Sequence, residues 1–432
     1  MSDIQNYVQR RARLAATLGE GIAIVATAPE VPRNRDSHYP YRHDSYFYWL
    51  TGFNEPEAVV VQVGGAEPQS ILFCRDKDES REIWDGFRYG PEAAQAHFGF
   101  DAAYSITELD AKLPELMGNR ERLAYAVGDN PAWDARVIGW LNAVRAKSRQ
   151  GVLAPGEIVD VRYALDEMRL IKDAHELALM RRAAEISSGA HRAAMRAAKP
   201  DGHEYEIEAE LLSAFRRGGA EAPAYNSIVA SGANACVLHY VFNNAPLRDG
   251  DLLLIDAAAE FGSYAADITR TFPVNGHFSA AQKDAYEIVL AAQIAAIDVV
   301  RPGSHWNAPH DAAVRVLTQG MVDLNLLKGS VDDLIEANAY SRFYMHKTGH
   351  WLGLDVHDAG EYKIDGEWRA LQPGMTLTVE PGIYIRPADD VPEVLWNIGI
   401  RIEDDVVVTE SGCEVMTTPP KTVAEIEAWM QG

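Results

Sequence analysis

Four acidic residues stand in otherwise apolar, strand-like segments of the second half of the chain: Asp256, Asp267, Glu380 and Glu403. Asp256, for example, directly follows the aliphatic run 252–255. An ionised carboxylate buried in a β-sheet costs several kcal/mol of folding free energy unless a cation compensates its charge. The basic residues that neighbour these segments in the sequence are too few to neutralise four carboxylates. The sequence therefore predicts that they converge on a site for multiply charged metal ions.

Length and charge restrict the class of protein further. A chain of 432 residues exceeds the size at which one hydrophobic core stops growing, so two domains are expected. The formal net charge of −23 argues against nucleic acid and against an anionic membrane as partners, because both would repel the chain. We therefore expect neither to be bound, and a metal-dependent nuclease is disfavoured for the same reason.

Cysteine usage and the longest apolar stretch indicate the compartment. Cys74, Cys236 and Cys413 are isolated, odd in number and without zinc-type spacing, so we expect free thiols in a reducing compartment. No signal peptide is visible near the N-terminus, and the apolar stretch 288–300 is too short to cross a bilayer. These observations favour a soluble, cytoplasmic protein.

The order of strand-like and helical segments predicts an α/β protein of two domains. Residues 1–165 alternate short apolar runs with helical stretches, and a strongly helical stretch at 170–198 opens a second region. We place the boundary between these regions so that the domains are 1–165 and 166–432. The predicted strands of the first domain are 22–25, 58–63 and 70–73, its predicted helices are 91–98 and 106–116, and further helices are predicted at 204–217, 280–300 and 308–324.

The second domain contains an internal repeat. Segments 250–256 and 374–380 each begin with a glycine, continue as an apolar strand and end in an acid. Each is followed by a second strand-like segment that carries its own acid, Asp267 or Glu403. The pattern favours two related halves, each supplying a hairpin with one carboxylate on each arm. The alternative is that two short apolar strands agree by chance.

The alternation of side chains along 398–403 predicts where a basic residue points. Ile398, Ile400 and Ile402 would share one face of a strand. Arg401 and Glu403 would then share the other face. Arg401 could therefore hold Glu403 or a bound carboxylate.

Three histidines supply further ligand candidates. His346, His350 and His357 are close in the sequence, and the glycines among them predict an irregular loop rather than the helix of an HExxH zinc site. A single histidine is more often structural than ligating. Three histidines in a chain that also carries four acids on strand-like segments predict that at least one histidine binds metal.

Four carboxylates balance the charge of two divalent cations, and one imidazole would complete the set. Oxygen-dominated ligation favours manganese, magnesium, iron or cobalt over a thiolate-type zinc site. Two such ions can share a water whose pKa falls far below that of bulk water, towards neutrality, and one ion can polarise a carbonyl. The predicted chemistry is metal-assisted hydrolysis.

Several segments closely resemble the signature of the bacterial aminopeptidase P (Xaa-Pro aminopeptidase) family. They are 255–257, 267–272, 350–358, 378–382 and 401–404, with further similarity at 39–42 and 51–57. The resemblance implies a creatinase-like αβ domain followed by a catalytic domain with the pseudo-symmetric pita-bread fold, which prolidase and methionine aminopeptidase share. It also implies an exopeptidase that releases the N-terminal residue from peptides whose second residue is proline.

The same resemblance implies a role for each candidate ligand. Asp256, Asp267, His350, Glu380 and Glu403 would be the five ligands of a dinuclear site, usually of manganese. Asp267 and Glu403 would bridge the two ions. Asp256 would bind one ion, and His350 with Glu380 would bind the other.

The resemblance further implies residues that handle the substrate. Glu380 would carry a proton between the attacking hydroxide and the leaving amine. His357 would hydrogen-bond the scissile carbonyl as it becomes an oxyanion, and His239 would contact the substrate beyond the scissile bond. Tyr384 and Arg401 would orient the substrate or support the ligands.

Family members assemble as tetramers in which residues from the N-terminal domain of a neighbouring subunit reach the active site. Asp36 and Trp84 occupy the matching positions here, and Arg149 is a further candidate. The alternative is that Asp36 is a solvated loop acid and that Trp84 belongs to the core. The resemblance thus implies a homo-oligomer, either a dimer or a tetramer.

One position departs from the family pattern. A glycine often follows the first histidine in the family, whereas Lys347 follows His346 here and the glycine stands at 349. A backbone that needed a positive φ at this position would accommodate lysine poorly. The departure puts a direct catalytic role of His346 in question.

Two other functions use the same fold. A prolidase would share the metal site but cleave only Xaa-Pro dipeptides, because a group that binds the proline carboxylate closes the far side of its site. A non-catalytic peptide-binding module would lack metal, but such relatives lose ligands, whereas all five candidates are present here.

Overall fold

The computed structural model describes residues 3–432, which form two compact units divided between Arg169 and Leu170. Each unit combines helices with strands, so the predicted α/β class is confirmed. None of the helices in this described part of the chain is long and apolar enough to span a membrane.

A mixed six-stranded sheet forms the centre of the first unit. Its strand Ile22–Ala26 pairs antiparallel with Val59–Val63 and parallel with Arg122–Ala124. All of Val59–Val63 is buried, and its odd-numbered valines share a core cluster with the helices Leu109–Met117 and Pro131–Arg145. In spatial order the strands are Ala102–Ser105, Gln69–Cys74, Val59–Val63, Ile22–Ala26, Arg122–Ala124 and Glu157–Val159.

The elements predicted for the first unit are all present, and several further helices and strands were not predicted. The predicted strands are confirmed with shifts of their ends, and the predicted helix at 106–116 begins later because Ile106–Glu108 forms a 3₁₀ turn. The helices are Asp3–Leu18, Ser45–Thr51, Glu79–Asp85, Gly90–Phe98, Leu109–Met117, Pro131–Arg145 and Arg162–Leu170, with a second 3₁₀ turn at Ser148–Gln150 and a small hairpin of Pro32–Asn34 and Ser37–His38.

Long helices cover the strands of the second unit. The helix predicted at 170–198 begins only at Ala174, because the Asp173 side chain accepts hydrogen bonds from the backbone of His175 and Glu176 and so caps it. The helices are Ala174–Ala197, Glu204–Arg217, Ala280–Asp298, Ala308–Asp323, Val331–Glu336 and Val423–Gln431, with 3₁₀ turns at Gly232–Cys236, Ala339–Arg342 and Glu393–Leu395.

The strands of the second unit form two halves with corresponding pairings. Leu252–Asp256 pairs antiparallel with Thr269–Pro273, and Thr376–Val379 pairs antiparallel with Asp404–Val408. In each half, the first strand of the pair ends at or just before an acid, Asp256 or Glu380. The second strand begins just after an acid, Asp267 or Glu403. The other strands are Ala222–Pro223, Ile228–Ser231, Ala259–Phe261, Tyr264–Ala265, Lys363–Ile364, Glu367–Trp368, Gly382–Ile385, Ile398–Arg401 and Cys413–Val415.

The acids occupy strand ends rather than strand interiors. Asp256 is the last residue of its strand, while Asp267, Glu380 and Glu403 lie just outside the strands that they flank. The prediction of two hairpins with one carboxylate on each arm is therefore only partly correct: in each half two other strands separate the paired strands in the sequence, and three of the four acids lie outside the strands. At a strand end the backbone leaves the regular ladder, so the carboxylates of different strands can turn towards one point.

One apolar core runs through both halves of the second unit. The predicted face of isoleucines on 398–403 is confirmed, because all three are buried in this core while Arg401 hydrogen-bonds Asp256. Fully or almost fully buried members from helices and strands include Ala190, Leu211, Leu253, Val289, Leu317, Ile398, Ile400 and Ile402.

Close backbone packing at Gly399 gives a test of this arrangement. A Cβ atom at Gly399 would lie 2.4 Å from the carbonyl oxygen of Ala235, so we expect G399A to lower the free energy of unfolding by about 1–3 kcal/mol. In contrast, G189A adds a methyl group to an open face of a helix and should raise stability by about 0.4–1 kcal/mol. Urea unfolding of both variants measures the difference, and equal stability of the two would contradict this packing.

Candidate metal centre

Three candidate ligands from separate segments meet at one point. Ligand atoms of Asp267, His350 and Glu403 all lie within 4.8 Å of one another, and all three residues are buried. Asp267 precedes a strand of the first half, and Glu403 precedes a strand of the second half. The two halves therefore each contribute a carboxylate to the same point.

Asp256 joins this group through a shared tyrosine. The Tyr225 hydroxyl lies 2.7 Å from Oδ1 of Asp256 and 2.6 Å from Oδ1 of Asp267. On its other side, Asp256 accepts a hydrogen bond of 2.6 Å from Nη2 of Arg401. Tyr225 was not singled out from the sequence, because a lone tyrosine before a strand carries no specific signal.

His350 and Glu380 complete the cluster. Nε2 of His350 lies 3.4 Å from Oδ2 of Asp267 and 3.7 Å from Oε1 of Glu380. Nδ1 of His350 lies 3.0 Å from the carbonyl oxygen of Trp351, which it can reach only as a donor. In the neutral ring this bond leaves the lone pair of Nε2 directed towards the carboxylates, the arrangement that a metal-binding histidine needs.

The protein's own cations do not balance these acids. Burial raises the pKa of Glu403 well above its usual range, with repulsion from Asp267 and Glu380 adding to the rise. Burial likewise raises the pKa of Glu380 to about 7, although His350 and Arg401 oppose the rise. The guanidinium of Arg401 therefore does not neutralise the acids, and the potential at the cluster stays strongly negative.

The adjacent Asp404 shows the opposite case. Burial acts to raise its pKa, but Arg270 and Lys421 outweigh burial and lower the pKa of Asp404 to about 2. Nη2 of Arg270 donates to its carboxylate at 2.6 Å, and Nζ of Lys421 does so at 2.7 Å. The chain thus balances one buried acid internally and leaves the cluster next to it for cations from outside.

The donor set fits divalent metal ions. Four carboxylates and one imidazole converge, and oxygen-rich sets of this kind bind hard or borderline divalent ions. Thr269 supports the set, because its hydroxyl donates to Oε2 of Glu403 at 2.6 Å and accepts from Nε of Arg401 at 3.1 Å. These contacts fix the orientation of two side chains at the cluster.

A cavity of about 870 Å³ opens directly onto this cluster. His239 and His357 both lie on its wall and are exposed, and the His357 ring stacks on His350 with 4.0 Å between ring centroids. Apolar and aromatic side chains form much of the remaining lining, namely Ile228, Leu238, Val241, Trp306, Val356, Tyr362 and Trp368.

The loop of the first histidine is unstrained. Lys347 is not among the residues with positive φ, so the lysine at this position requires no unusual backbone. The His346 ring lines the cavity and its Nε2 lies 2.8 Å from the Tyr384 hydroxyl. Nη1 of Arg401 donates to the same hydroxyl at 2.9 Å. Tyr384 therefore links His346 to the arginine that holds Asp256.

The candidates of the first unit are all on its surface. Trp84 lies on the helix Glu79–Asp85 and is 82% exposed, so the alternative that it belongs to the core is wrong. Asp36 and Arg149 are exposed as well.

Family models match both parts of the chain. Residues 178–410 match the model of metallopeptidase family M24, and residues 7–125 match the model of the aminopeptidase P N-terminal domain. The two matches agree with the predicted order of a creatinase-like domain and a metallopeptidase domain.

Proteins of known identity are similar to the chain over its full length. An Xaa-Pro aminopeptidase of Escherichia coli is 46% identical over 100% of this chain and 99% of its own. One of Haemophilus influenzae is 46% identical over 99% of this chain and 97% of its own. The structure of Pseudomonas aeruginosa aminopeptidase PepP superposes with a TM-score of 0.97 at 53% identity, covering 99% of this chain and 98% of that one. The chain therefore belongs to metallopeptidase family M24, in its aminopeptidase P group.

Proposed function

We propose that this protein is an Xaa-Pro aminopeptidase, a metal-dependent exopeptidase that hydrolyses the bond between an N-terminal residue and a following proline. The single observation that carries the proposal is a complete donor set at one cavity, in a chain that aligns end to end with two enzymes of that name. The same alignments favour it over a prolidase. A non-catalytic module is disfavoured because none of the five donors is lost.

We infer that the cluster in each subunit binds two divalent ions and that these ions are Mn²⁺. Asp256, Asp267, His350, Glu380 and Glu403 would hold them, with Asp267 and Glu403 shared between the two. When bound, such a pair would lower the pKa of a shared water towards neutrality and polarise the substrate carbonyl.

Glu380 is suited to move the proton. Its carboxylate lies between the His350 and His346 rings, 3.7 Å from Nε2 of the former and 3.8 Å from Nδ1 of the latter. A carboxyl that is buried and next to the reacting atoms can accept a proton from the attacking water and return it to the leaving amine. The proline nitrogen needs this proton, because it leaves the amide without a hydrogen of its own.

His357 and His239 are suited to hold the peptide. Both are exposed and line the cavity beside the cluster, and a histidine ring N–H can donate to a peptide carbonyl. We assign His357 to the scissile carbonyl, because it stacks on the candidate ligand His350. We assign His239 to the residue after the scissile bond. The aromatic wall of Trp306, Tyr362 and Trp368 supplies an apolar surface.

We also propose how the protein is organised. Residues 1–165 would form the N-terminal domain and 166–432 the catalytic domain of a cytoplasmic homo-oligomer, a dimer or tetramer. Asp36 and Trp84 of one subunit would reach the active site of its neighbour, with Arg149 a further candidate. Ile83, Trp84 and Phe87 are exposed near one another in the sequence, and this supports the role because grouped exposed apolar side chains mark interaction sites. The net charge of −23 argues against nucleic acid or membrane as partners.

A comparison of peptides tests the activity. With Mn²⁺, the enzyme should release the N-terminal residue from Xaa-Pro-Yaa tripeptides with a higher kcat/KM than from Xaa-Pro dipeptides, because an aminopeptidase cleft continues past the proline. Liquid chromatography of the products measures both rates. A preference for the dipeptide would identify a prolidase instead, and no release from either peptide would exclude both enzymes.

Removal of a shared ligand tests the metal site. We expect D267A to fold but to lose turnover, because the carboxylate at the centre of the cluster is gone. The exposed D284A on the helix Ala280–Asp298 is the matched control and should keep full activity. Metal analysis after manganese loading should find about two ions per chain in the wild type. Fewer than about one ion per wild-type chain would count heavily against the proposal.

A second variant tests the support of the ligands. T269V removes the hydroxyl that bonds Glu403 and Arg401, so we expect the affinity for Mn²⁺ to fall by about 10–100-fold. T271V is the matched control, since Thr271 bonds only the backbone of Arg401. Chelator competition measures both affinities, and circular dichroism reports folding. An equal loss in the two variants would assign the effect to general disruption of the strand.

A further inference from the structure

The loop between His346 and His350 presents an exposed lysine, Lys347, to the cavity. We propose that Lys347 is a specificity-determining residue, which binds a carboxylate on the part of the peptide that follows the scissile bond. The inference rests on the proposed function and adds a preference to it. The enzyme would favour peptides that carry a negative charge shortly after the proline.

Lys347 is available for a ligand. It is exposed and lies on the wall of the cavity. Within residues 3–432, no carboxylate forms an ion pair with its ammonium group, whereas Arg401, the other strongly basic residue of the wall, is buried and bonded to Asp256. The cavity therefore offers one uncommitted cationic side chain.

The direction of the peptide follows from exopeptidase chemistry. An enzyme that removes one N-terminal residue must hold that residue beside the buried donors, so the rest of the peptide extends towards the open side of the cavity. Each further residue of an extended peptide advances by about 3.3–3.6 Å. Lys347 follows His346, whose Nδ1 is 3.8 Å from Glu380. A flexible lysine here is placed to meet the first residues after the scissile bond.

The charge pattern of the cavity selects a carboxylate as the partner. The wall carries four acids at its buried end, which disfavour a negative group there. A peptide carries negative charge only at its C-terminus and on Asp or Glu side chains. A lysine ammonium is a mobile point charge, so it can pair with carboxylates at slightly different positions, whereas a guanidinium demands a fixed bidentate geometry.

A pair of tripeptides tests the proposal. Xaa-Pro-Ala with a free C-terminal carboxylate is compared with the same peptide amide. We expect the wild type to prefer the acid by about two- to fivefold in kcat/KM, as an exposed ion pair provides, and K347M to abolish the preference. The change should lie in KM rather than kcat, and salt should weaken the preference in the wild type. K347R keeps the positive charge but not the adaptable geometry, so it should retain only part of the preference.

Lys363 supplies a matched control. Its ammonium lies 4.4 Å from the centroid of the Trp368 ring, a residue of the same cavity wall, and Lys363 itself is exposed. K363M removes an equal charge from the same unit and should leave the acid-to-amide ratio as in the wild type. A ratio that K363M lowers as much as K347M does would assign the preference to general electrostatics and overturn the proposal.

A second peptide pair distinguishes the two sources of the carboxylate. Xaa-Pro-Glu amide and Xaa-Pro-Gln amide differ only in a side-chain charge. Loss of either preference, acid over amide or Glu over Gln, in K347M supports the proposal and identifies which carboxylate is bound. A wild type that cleaves all four peptides without discrimination overturns the Lys347 inference alone. A wild type that cleaves no tripeptide overturns the proposed function.

Discussion

The concentration of buried carboxylates around Asp267 is the constraint on which the second unit depends. Burial raises the pKa of Asp256 and Glu403, repulsion from neighbouring acids adds to the rise, and Arg401 opposes it without removing it, so further positive charge would stabilise the cluster. The charge of the cluster is not balanced by basic side chains, whereas the charge of the neighbouring Asp404 is, because Arg270 and Lys421 keep that carboxylate ionised. The cluster is therefore a site that is built to be completed by cations.

The two halves are locked together by the groups that hold the cluster. Arg401 of the second half reaches Asp256 of the first, while Thr269 of the first half reaches Glu403 of the second. Arg270 adds a buried bond of 2.6 Å to the backbone oxygen of Glu403. The spacing of the carboxylates is thus set by contacts across the repeat, so the stability of the fold and the geometry of the site are coupled.

Much of the candidate site could be predicted because its acidic residues stand next to apolar segments, where an unpaired charge is unfavourable. Acids beside apolar strands demand a reason, and the repeat of glycine, strand and acid indicated two halves that face each other. The isoleucine alternation also placed Arg401 on the correct face. The ends of the strands were less predictable. The carboxylates lie where strand pairing stops, and an apolar run in the sequence does not show at which residue the pairing stops.

Contacts made across long sequence separations could not be predicted. No local sequence pattern predicts the hydrogen bonds of Tyr225 and Thr269 to the cluster, because these bonds form only when segments far apart in the sequence come together. The loop at Lys347 was misleading for a related reason. The sequence raised the possibility of a positive φ at Lys347, yet the backbone there does not adopt one, so lysine is accommodated and His346 reaches Tyr384.

Anomalous X-ray diffraction from manganese-loaded crystals tests the central claim most directly. The account predicts two strong peaks about 3.5–4 Å apart, each in contact with carboxylate oxygens of Asp267 and Glu403. A manganese-loaded crystal with no peak at the cluster, or with peaks only among surface acids, would contradict it.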